Sequence, residues 1–248
     1  YRGFGGPQGM VAIEEVMDAI ARHLHLDPLA VRKANYYGKT ERNVTHYYQT
    51  VEHNMLEEMT AEFARMEQAG LLPDVIVFQE AFSTAALRTA SSTPHPYYAL
   101  GPRAPTRSGL PKTRDPVLRK RNYLRGEWGV RFMGSGIAIA SRYPITASFS
   151  QPYGPTSCAG WDCLANKGVM LVRIAVPGLA DPVEIATTHM NAQGASKAPP
   201  EKHLAAHNAQ SAELADFLDR VSTPDSPLVL AGDFNMRRNP ARFDAFES

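Results

Sequence analysis

The sequence predicts an α/β fold, packed sheets flanked by helices, preceded by a short all-helical leader. Three observations predict it. Apolar residues recur at helical spacing through the first ~70 positions. After Pro73 short β-branched runs replace that spacing. One long amphipathic stretch, Glu201 to Val221, then stands between the last two of these runs. The division drawn from this change of grammar is a helical piece over residues 1–58 and an α/β piece over residues 59–248. Strands mixed with helices bury their apolar faces most readily as sheets covered by helices.

The helical piece begins with "GMVAIEEVMDAIARHLHL", where Ile13, Val16, Met17, Ile20 and Leu24 form a single stripe that is expected to be buried. Asp27 followed by Pro28 reads as an N-cap and a proline at the first helical position, opening a helix through Ala34. "YYGKTERN" is a turn-rich loop, and a third helix is expected from about Thr50 to Gln68.

In the second piece "DVIVFQE" is a strand that emerges on polar residues, and "YYALGP" follows it. "GSGIAIASRYPI" is a strand closed by an Arg-Tyr-Pro turn. "KGVMLVRIAV" and "VEIATTHM" are strands joined by the hairpin-like "PGLADP". The helix Glu201 to Val221 is expected to line one side with Leu204, Ala205, Ala209, Leu214, Phe217 and Leu218. "PLVLAGDFN" is the last strand.

Composition bounds the function. The 248 residues are 44% hydrophobic, enough for a sizeable core, and the net charge of +1 argues against a generic polyanion binder. Local charge is uneven: Arg103 to Arg131 holds nine basic residues and two acids, a stretch read either as a solvated loop or as attraction for phosphate-rich partners. Cys158 and Cys163 have no second Cys or His pair to complete a zinc site, and the sequence leaves a local disulfide and two buried thiols equally open. There is no apolar run of roughly 18 residues and no visible signal segment. The first residue is Tyr1, so compartment stays open, as does oligomeric state.

Three strands end on reactive side chains. They are Glu80 in "VIVFQE", His189 in "IATTHMN", and Asp233 with Asn235 in "LVLAGDFN". Residues two apart in a strand face the same way, so Asp233 and Asn235 are expected to enter one cleft if the extended backbone persists. A carboxylate is a hard ligand for Mg²⁺, a histidine can move protons or donate to a phosphoryl oxygen, and an amide can hold a developing charge. Each has a plainer alternative: a solvent-facing strand end for Glu80, a structural histidine for His189, an Asx-type turn for "GDFN". Their joint position at polar strand ends favours metal-assisted phosphoryl transfer to water.

Residues from about 60 to 248 resemble the endonuclease/exonuclease/phosphatase superfamily, through "PDVIVFQEAF", "YYALGP", "SGIAIASRYPI", "NKGVMLVRI", "ATTHMNA" and "LAGDFNM" in order. "DCLANKGV" and "SGIAIASRYPI" are similar to the neutral sphingomyelinase-like phosphodiesterases. The resemblance implies a two-sheet α/β sandwich with the site at one end. It implies Glu80 as ligand to Mg²⁺ or Mn²⁺. Asp233 would orient the attacking water, Asn235 would support the pentavalent transition state, and His189 would stabilise the phosphoryl oxygens. Asn191 stands where relatives carry Gln. The family's opening Asn-bearing strand is not found before Asp74, and no Asp-His pair follows Asn235. The domain is therefore expected to be incomplete at both ends, with lowered or lost turnover.

Tyr1 to Met55 is similar to the molybdenum-binding subunit of xanthine dehydrogenase, on "YRGFGGPQGMVAIEEVMDAIARHLHLDPLAVRKANYYGKTERNVTHYYQTVEHNM". That resemblance implies Arg2 at the molybdopterin and Phe4 stacked on a purine. One loop cannot bury that cofactor, so molybdopterin is not expected. The expectation is a phosphodiester hydrolase acting on a phospholipid such as sphingomyelin, with Arg103 to Arg131 available to an anionic membrane. The alternatives are a nuclease, a molybdenum-subunit fragment, and a non-catalytic chimera.

Overall fold

In the computed structural model, residues 16–35, 43–44, 48, 50, 55–82, 86, 93–237 and 239–247 are described. The chain divides into two compact units, residues 1–73 with 83–94, and residues 74–82 with 95–248.

In the first unit, residues 16–24 are helical and α1 spans Pro28–Asn35, with Val31 N donating to the Asp27 carbonyl at 3.2 Å. Proline sits at the first helical position, as expected, since its missing N–H costs nothing there. Where it is described the apolar stripe is not buried: Val16, Ile20 and Leu24 are exposed and Met17 is half-buried, while Ala21 and Val31 are buried; Ile13 lies outside the described residues. Spacing shows that a stripe exists, but burial needs a packed neighbour that spacing cannot supply. Helix α2 spans Met55–Gln68. Thr50, expected at the start of this helix, instead pairs with Val44 in an isolated antiparallel bridge.

The second unit has two sheets, as the resemblance implies. Strands β1 (Val75–Phe78), β2 (Tyr97–Leu100) and β3 (Ala138–Ser141) form one, in the order β1-β3-β2, antiparallel throughout. Strands β4 (Ile145–Pro152), β5 (Gly168–Ile174), β6 (Val183–His189) and β7 (Leu228–Asp233) form the other in sequence order, and only β6 and β7 run parallel. The four-residue helix α3 (Pro116–Arg119) lies between β2 and β3. Helix α4 (Pro200–Val221) connects β6 to β7, and α5 (Pro240–Glu247) follows β7.

Alternation along β5 explains the layering. Met170, Val172 and Ile174 face the first sheet and join Ile137, Ile139 and Ala99 in one core. Val169 and Leu171 face the other way, joining Leu214 and Phe217 of α4 in a second core. A strand covered on both faces reads as a continuous apolar run, which is why "GVMLVRI" lacks alternation. Strand β4 was not foreseen: Ile145 to Pro152 alternates weakly and carries three hydroxyls.

Two expectations about side-chain direction change. The first half of α4 buries Lys202, His203, Ala206, His207 and Gln210, while Leu204, Ala205 and Ala209 are only half-buried. Polar residues face inward there because each finds a partner. Gln210, for example, accepts from Asn191 N at 2.7 Å and donates to the Ser157 carbonyl at 2.7 Å. The cysteines, left open by sequence, are bonded as Cys158–Cys163 with Cα atoms 5.2 Å apart.

The basic stretch is also less uniform than its sequence. Arg131 is half-buried, donating to Cys158 Sγ at 3.2 Å and to the Cys163 carbonyl at 2.7 Å. Burial, helped by the neighbouring Arg121, lowers its pKa to about 10. Glu127 is buried and pairs with Lys202 at 2.5 Å. Arg103, Arg107, Lys112, Arg114, Arg119, Lys120 and Arg125 remain exposed.

Candidate active site

Register brings His189 and Asp233 together. The parallel β6–β7 ladder pairs Glu184 with Leu228, and each following pair in step, so His189 stands opposite Asp233 at the strands' C-terminal ends. Residues paired in register point to the same face. That face is the one Ile185 turns toward the first sheet. Gly232 permits the approach, because a Cβ there would lie 2.2 Å from the Thr188 carbonyl oxygen. His189 Nε2 is 3.7 Å from Asp233 Oδ2, too long for a direct hydrogen bond.

The environments of the two groups differ. His189 is buried, with Nδ1 lacking a hydrogen-bond partner among the described residues. The Asp233 side chain is 48% exposed. Burial is the largest cause lowering the His189 pKa to about 4, the Lys167 ammonium adds to it, and Asp233 and Asp162 oppose it. A pKa near 4 favours the neutral imidazole at physiological pH, which suits the second of the two roles weighed for it, donation to a phosphoryl oxygen.

Glu80 arrives at the same end from the first sheet. Its neighbour Gln79 donates from Nε2 to Thr187 Oγ1 at 3.0 Å, one pleat before His189. Two residues on, the Phe82 ring lies 6.0 Å from the His189 ring, centre to centre. Gly136 leaves room for that ring, since a Cβ there would approach it to 2.6 Å. Glu80 itself is exposed and has φ of 58°, with Phe82 N donating to its carbonyl at 2.8 Å. A glutamate in the left-handed region costs of order 1–3 kcal/mol, a strain that clusters at functional sites.

Asn235 does not continue the strand. Its φ is 52°, so the extended backbone ends at Asp233 and the same-face argument fails for this pair. Asn235 N donates to Asp233 Oδ1 at 2.9 Å, which is the Asx-type turn weighed as an alternative. The Asn235 side chain folds back, Nδ2 donating to the Met190 carbonyl at 3.0 Å. It thus stays beside the His189 segment through a hydrogen bond rather than through strand geometry. Asn191 is buried, accepting from Ala159 N and donating to the Ala192 carbonyl, both at 2.9 Å, so its amide serves the scaffold. Arg2 and Phe4 lie outside the described residues.

Sequence reading missed the residues that hold this loop. Arg242 of α5 is fully buried, its Nη1 donating to the carbonyls of Asn191 at 2.7 Å and Asn235 at 2.8 Å. Its Nη2 donates to His203 Nδ1 at 2.9 Å, which makes that nitrogen an acceptor. His207 Nε2 donates to the Phe234 carbonyl at 3.0 Å. On the other side, Lys167 Nζ bonds Asp162 Oδ2 at 2.8 Å and the Met190 carbonyl at 2.9 Å, and Ala192 N donates to Asp162. The signal available for α5 was Asn239-Pro240, a helix-opening dipeptide.

Among the described residues no three His, Cys, Asp or Glu side chains form a metal-holding group. A Mg²⁺ ion keeps several waters and needs only one or two carboxylates beside a substrate phosphate. The exposed Glu80 carboxylate fits that demand.

Two antiparallel-rich sheets packed face to face, helices on one side and polar groups at the strand ends, define an α/β sandwich protein with a solvent-facing polar site. The chain belongs to the Endonuclease/Exonuclease/phosphatase family, whose model matches residues 24–248. Among solved structures it is similar to a beta toxin mutant from Staphylococcus aureus with bound magnesium ions, at a TM-score of 0.57 and 22% identity over 76% of this chain and 61% of that one. It is also similar to sphingomyelinase C from Streptomyces griseocarneus, at a TM-score of 0.53 and 23% identity over 75% and 61%. The likeness is one of fold, and the chain spans about three fifths of those structures. Residues 1–36 match the molybdopterin cofactor-binding domain. Xanthine dehydrogenase 1 from Arabidopsis thaliana is 40% identical over 62 residues, which are 25% of this chain and 4% of that protein. The enzyme from Gallus gallus is 48% identical over 52 residues, again 4% of its length.

Proposed function

We propose that residues 59–248 form a divalent-metal-dependent phosphodiesterase domain acting on a phospholipid such as sphingomyelin, carried behind a helical leader of residues 1–58. The observation that carries this reading is the meeting of a neutral buried His189 with an exposed Asp233 at 3.7 Å, on the face reached by the Glu80 segment. Glu80 would hold Mg²⁺ or Mn²⁺, which supplies a Lewis acid for the phosphoryl oxygens when bound. The solvent-facing Asp233 side chain accepts a hydrogen bond from a water and orients it for attack. His189, neutral and desolvated, donates one N–H to a phosphoryl oxygen at no cost of deprotonation. Asn235, fixed by Met190 and Arg242, holds the amide that supports the transition state. The sphingomyelinase name borne by one structural neighbour favours a lipid substrate, and the exposed cations between Arg103 and Arg125 suit an anionic surface.

The test is hydrolysis of labelled sphingomyelin beside nicked and abasic DNA, with Mg²⁺, with Mn²⁺ and with chelator. Sphingomyelin cleavage with either ion, lost on chelation and lowered about 10²–10⁴-fold in Asp233→Asn, is expected. Cleavage of DNA alone moves the substrate to nucleic acid. Inactivity of the folded protein on all three rejects the reading.

A further inference from the structure

The connection between α3 and β3 exposes more apolar surface than a solvated loop requires. A 3₁₀ turn over Tyr123–Arg125 is closed by Gly126 at φ of 83°, and this turn lifts Leu124 to 88% and Tyr123 to 62% exposure. Trp128, Val130 and Phe132 are also exposed. Tyr123, Trp128 and Phe132 adjoin one another. The Trp128 indole donates to the Tyr123 carbonyl, and its ring meets Phe132 edge-on at 5.9 Å and Trp161 at 6.4 Å. Val117 joins Tyr123 and Leu124 along one groove, whose other wall carries Pro199 and Glu201. Single exposed apolar residues are ordinary, but a continuous rimmed patch marks an interaction surface.

Charge frames the patch. Arg119, Lys120 and Arg125 are exposed around it, and the one acid inside the segment, Glu127, is buried against Lys202. Glu201 on the groove wall is the exposed acid nearby. We infer that this turn is a membrane-docking element: Leu124, Tyr123 and Trp128 enter the headgroup–acyl boundary of an anionic bilayer, with Arg119, Lys120 and Arg125 on its headgroups. Aromatic rings that pair an apolar body with a polar tip settle at that boundary, and neighbouring cations add attraction to anionic lipid. Nucleic acid would also welcome cations and rings, but the most exposed member is aliphatic and cannot stack on a base. The patch adjoins the site through Trp161, whose neighbour Asp162 accepts from Ala192 N, three residues past His189. The inference rests on the lipid-substrate reading and adds the surface that delivers the substrate.

Sedimentation of the full chain with vesicles, in chelator so that no lipid is cleaved, tests it. Phosphatidylcholine vesicles are compared with an equimolar phosphatidylcholine–phosphatidylserine mixture. Stronger binding to the mixture is expected, with a blue shift of tryptophan emission. Tyr123→Ser with Leu124→Ser should weaken binding at least ~10-fold by removing inserted apolar surface. Arg119→Glu with Lys120→Glu should erase the preference for the anionic mixture. All four positions are exposed, and far-ultraviolet circular dichroism verifies the fold. Wild-type protein that stays in the supernatant, or an apolar double variant that binds like wild type, overturns the inference. So does a dimer or an oligonucleotide complex that Tyr123→Ser with Leu124→Ser abolishes while vesicles are ignored. Protein that cleaves detergent-solubilised sphingomyelin yet ignores vesicles defeats only this inference. Protein that binds vesicles yet cleaves nothing in Mg²⁺ defeats the catalytic reading instead.

Discussion

His207 shows how a buried histidine ties the site loop to pH. Its Nε2 donates to the Phe234 carbonyl, which leaves Nδ1 buried without a partner among the described residues. Protonating Nδ1 would create an unpaired buried charge beside the Arg242 guanidinium. Burial first, and Arg242 second, accordingly lower its pKa from 6.5 to about 4. The unfolded chain takes up the proton first, so the contribution to stability is complete above pH 6.5 and is lost as pH falls toward 4. The shift corresponds to roughly 3 kcal/mol. Urea unfolding at pH 7 and pH 4.5 should show this loss, and His207→Gln should reduce it while leaving a donor for Phe234. His189 and His203, also lowered by burial, contribute further acid sensitivity.

Among elements, α5 has more influence than its eight residues suggest. Arg242 supplies four hydrogen bonds, to Asn191, Asn235 and twice to His203. Arg242→Met would keep the stem's volume but withdraw a donor from the Asn191, Asn235 and His203 carbonyls and from His203 Nδ1, and of these the Asn235 carbonyl still accepts from Gln193 Nε2 at 3.1 Å. Each unpaired buried acceptor costs about 1–3 kcal/mol, so a loss of at least ~2 kcal/mol in denaturant unfolding is expected, with turnover falling as Asn235 loosens. The disulfide turn works on the opposite flank. It encloses a short loop, so reduction, or Cys158→Ser with Cys163→Ser, should cost only about 2 kcal/mol by loop entropy. The loop's own bonds, Gly160 N to Glu127 and Ala159 N to Asn191, remain to hold it. Equal melting temperatures with and without reductant would contradict the bridge's contribution.

At the scale of the whole molecule, the two kinds of relative predict different metals. The xanthine dehydrogenases share only 4% of their length with this chain, whereas the Endonuclease/Exonuclease/phosphatase match spans residues 24–248. Elemental analysis of the purified protein should find activity that follows added Mg²⁺ or Mn²⁺ and no stoichiometric molybdenum. Near one molybdenum per chain would overturn the domain proposal. Much of the fold was legible because each sheet-forming run is bounded by turn residues, and the β5–β6 hairpin carries "PGLADP". The meeting of His189 and Asp233 at one sheet end was legible for the same reason, since both are polar residues ending apolar strands. What could not be read was partner choice. The inward polar face of α4 looks like a solvent face in sequence, and partners brought from elsewhere along the chain, Glu127, Ser157, Asn191, Phe234 and Arg242 among them, make it a core. The bend at Asn235 stayed an open alternative, since an Asx turn and an extended strand share the same letters.

The ladder between β6 and β7 is anchored at both ends, by Glu184 N on the Pro227 carbonyl and Met190 N on the Asp233 carbonyl. Parity along β7 therefore decides which way Asp233 looks. One residue inserted between Leu228 and Ala231 would swing that carboxylate to the helix side while leaving His189 where it stands. A second inserted residue would turn it back. Odd and even insertions in this strand should alternate between silent and competent protein, a counting rule no single side-chain replacement could mimic.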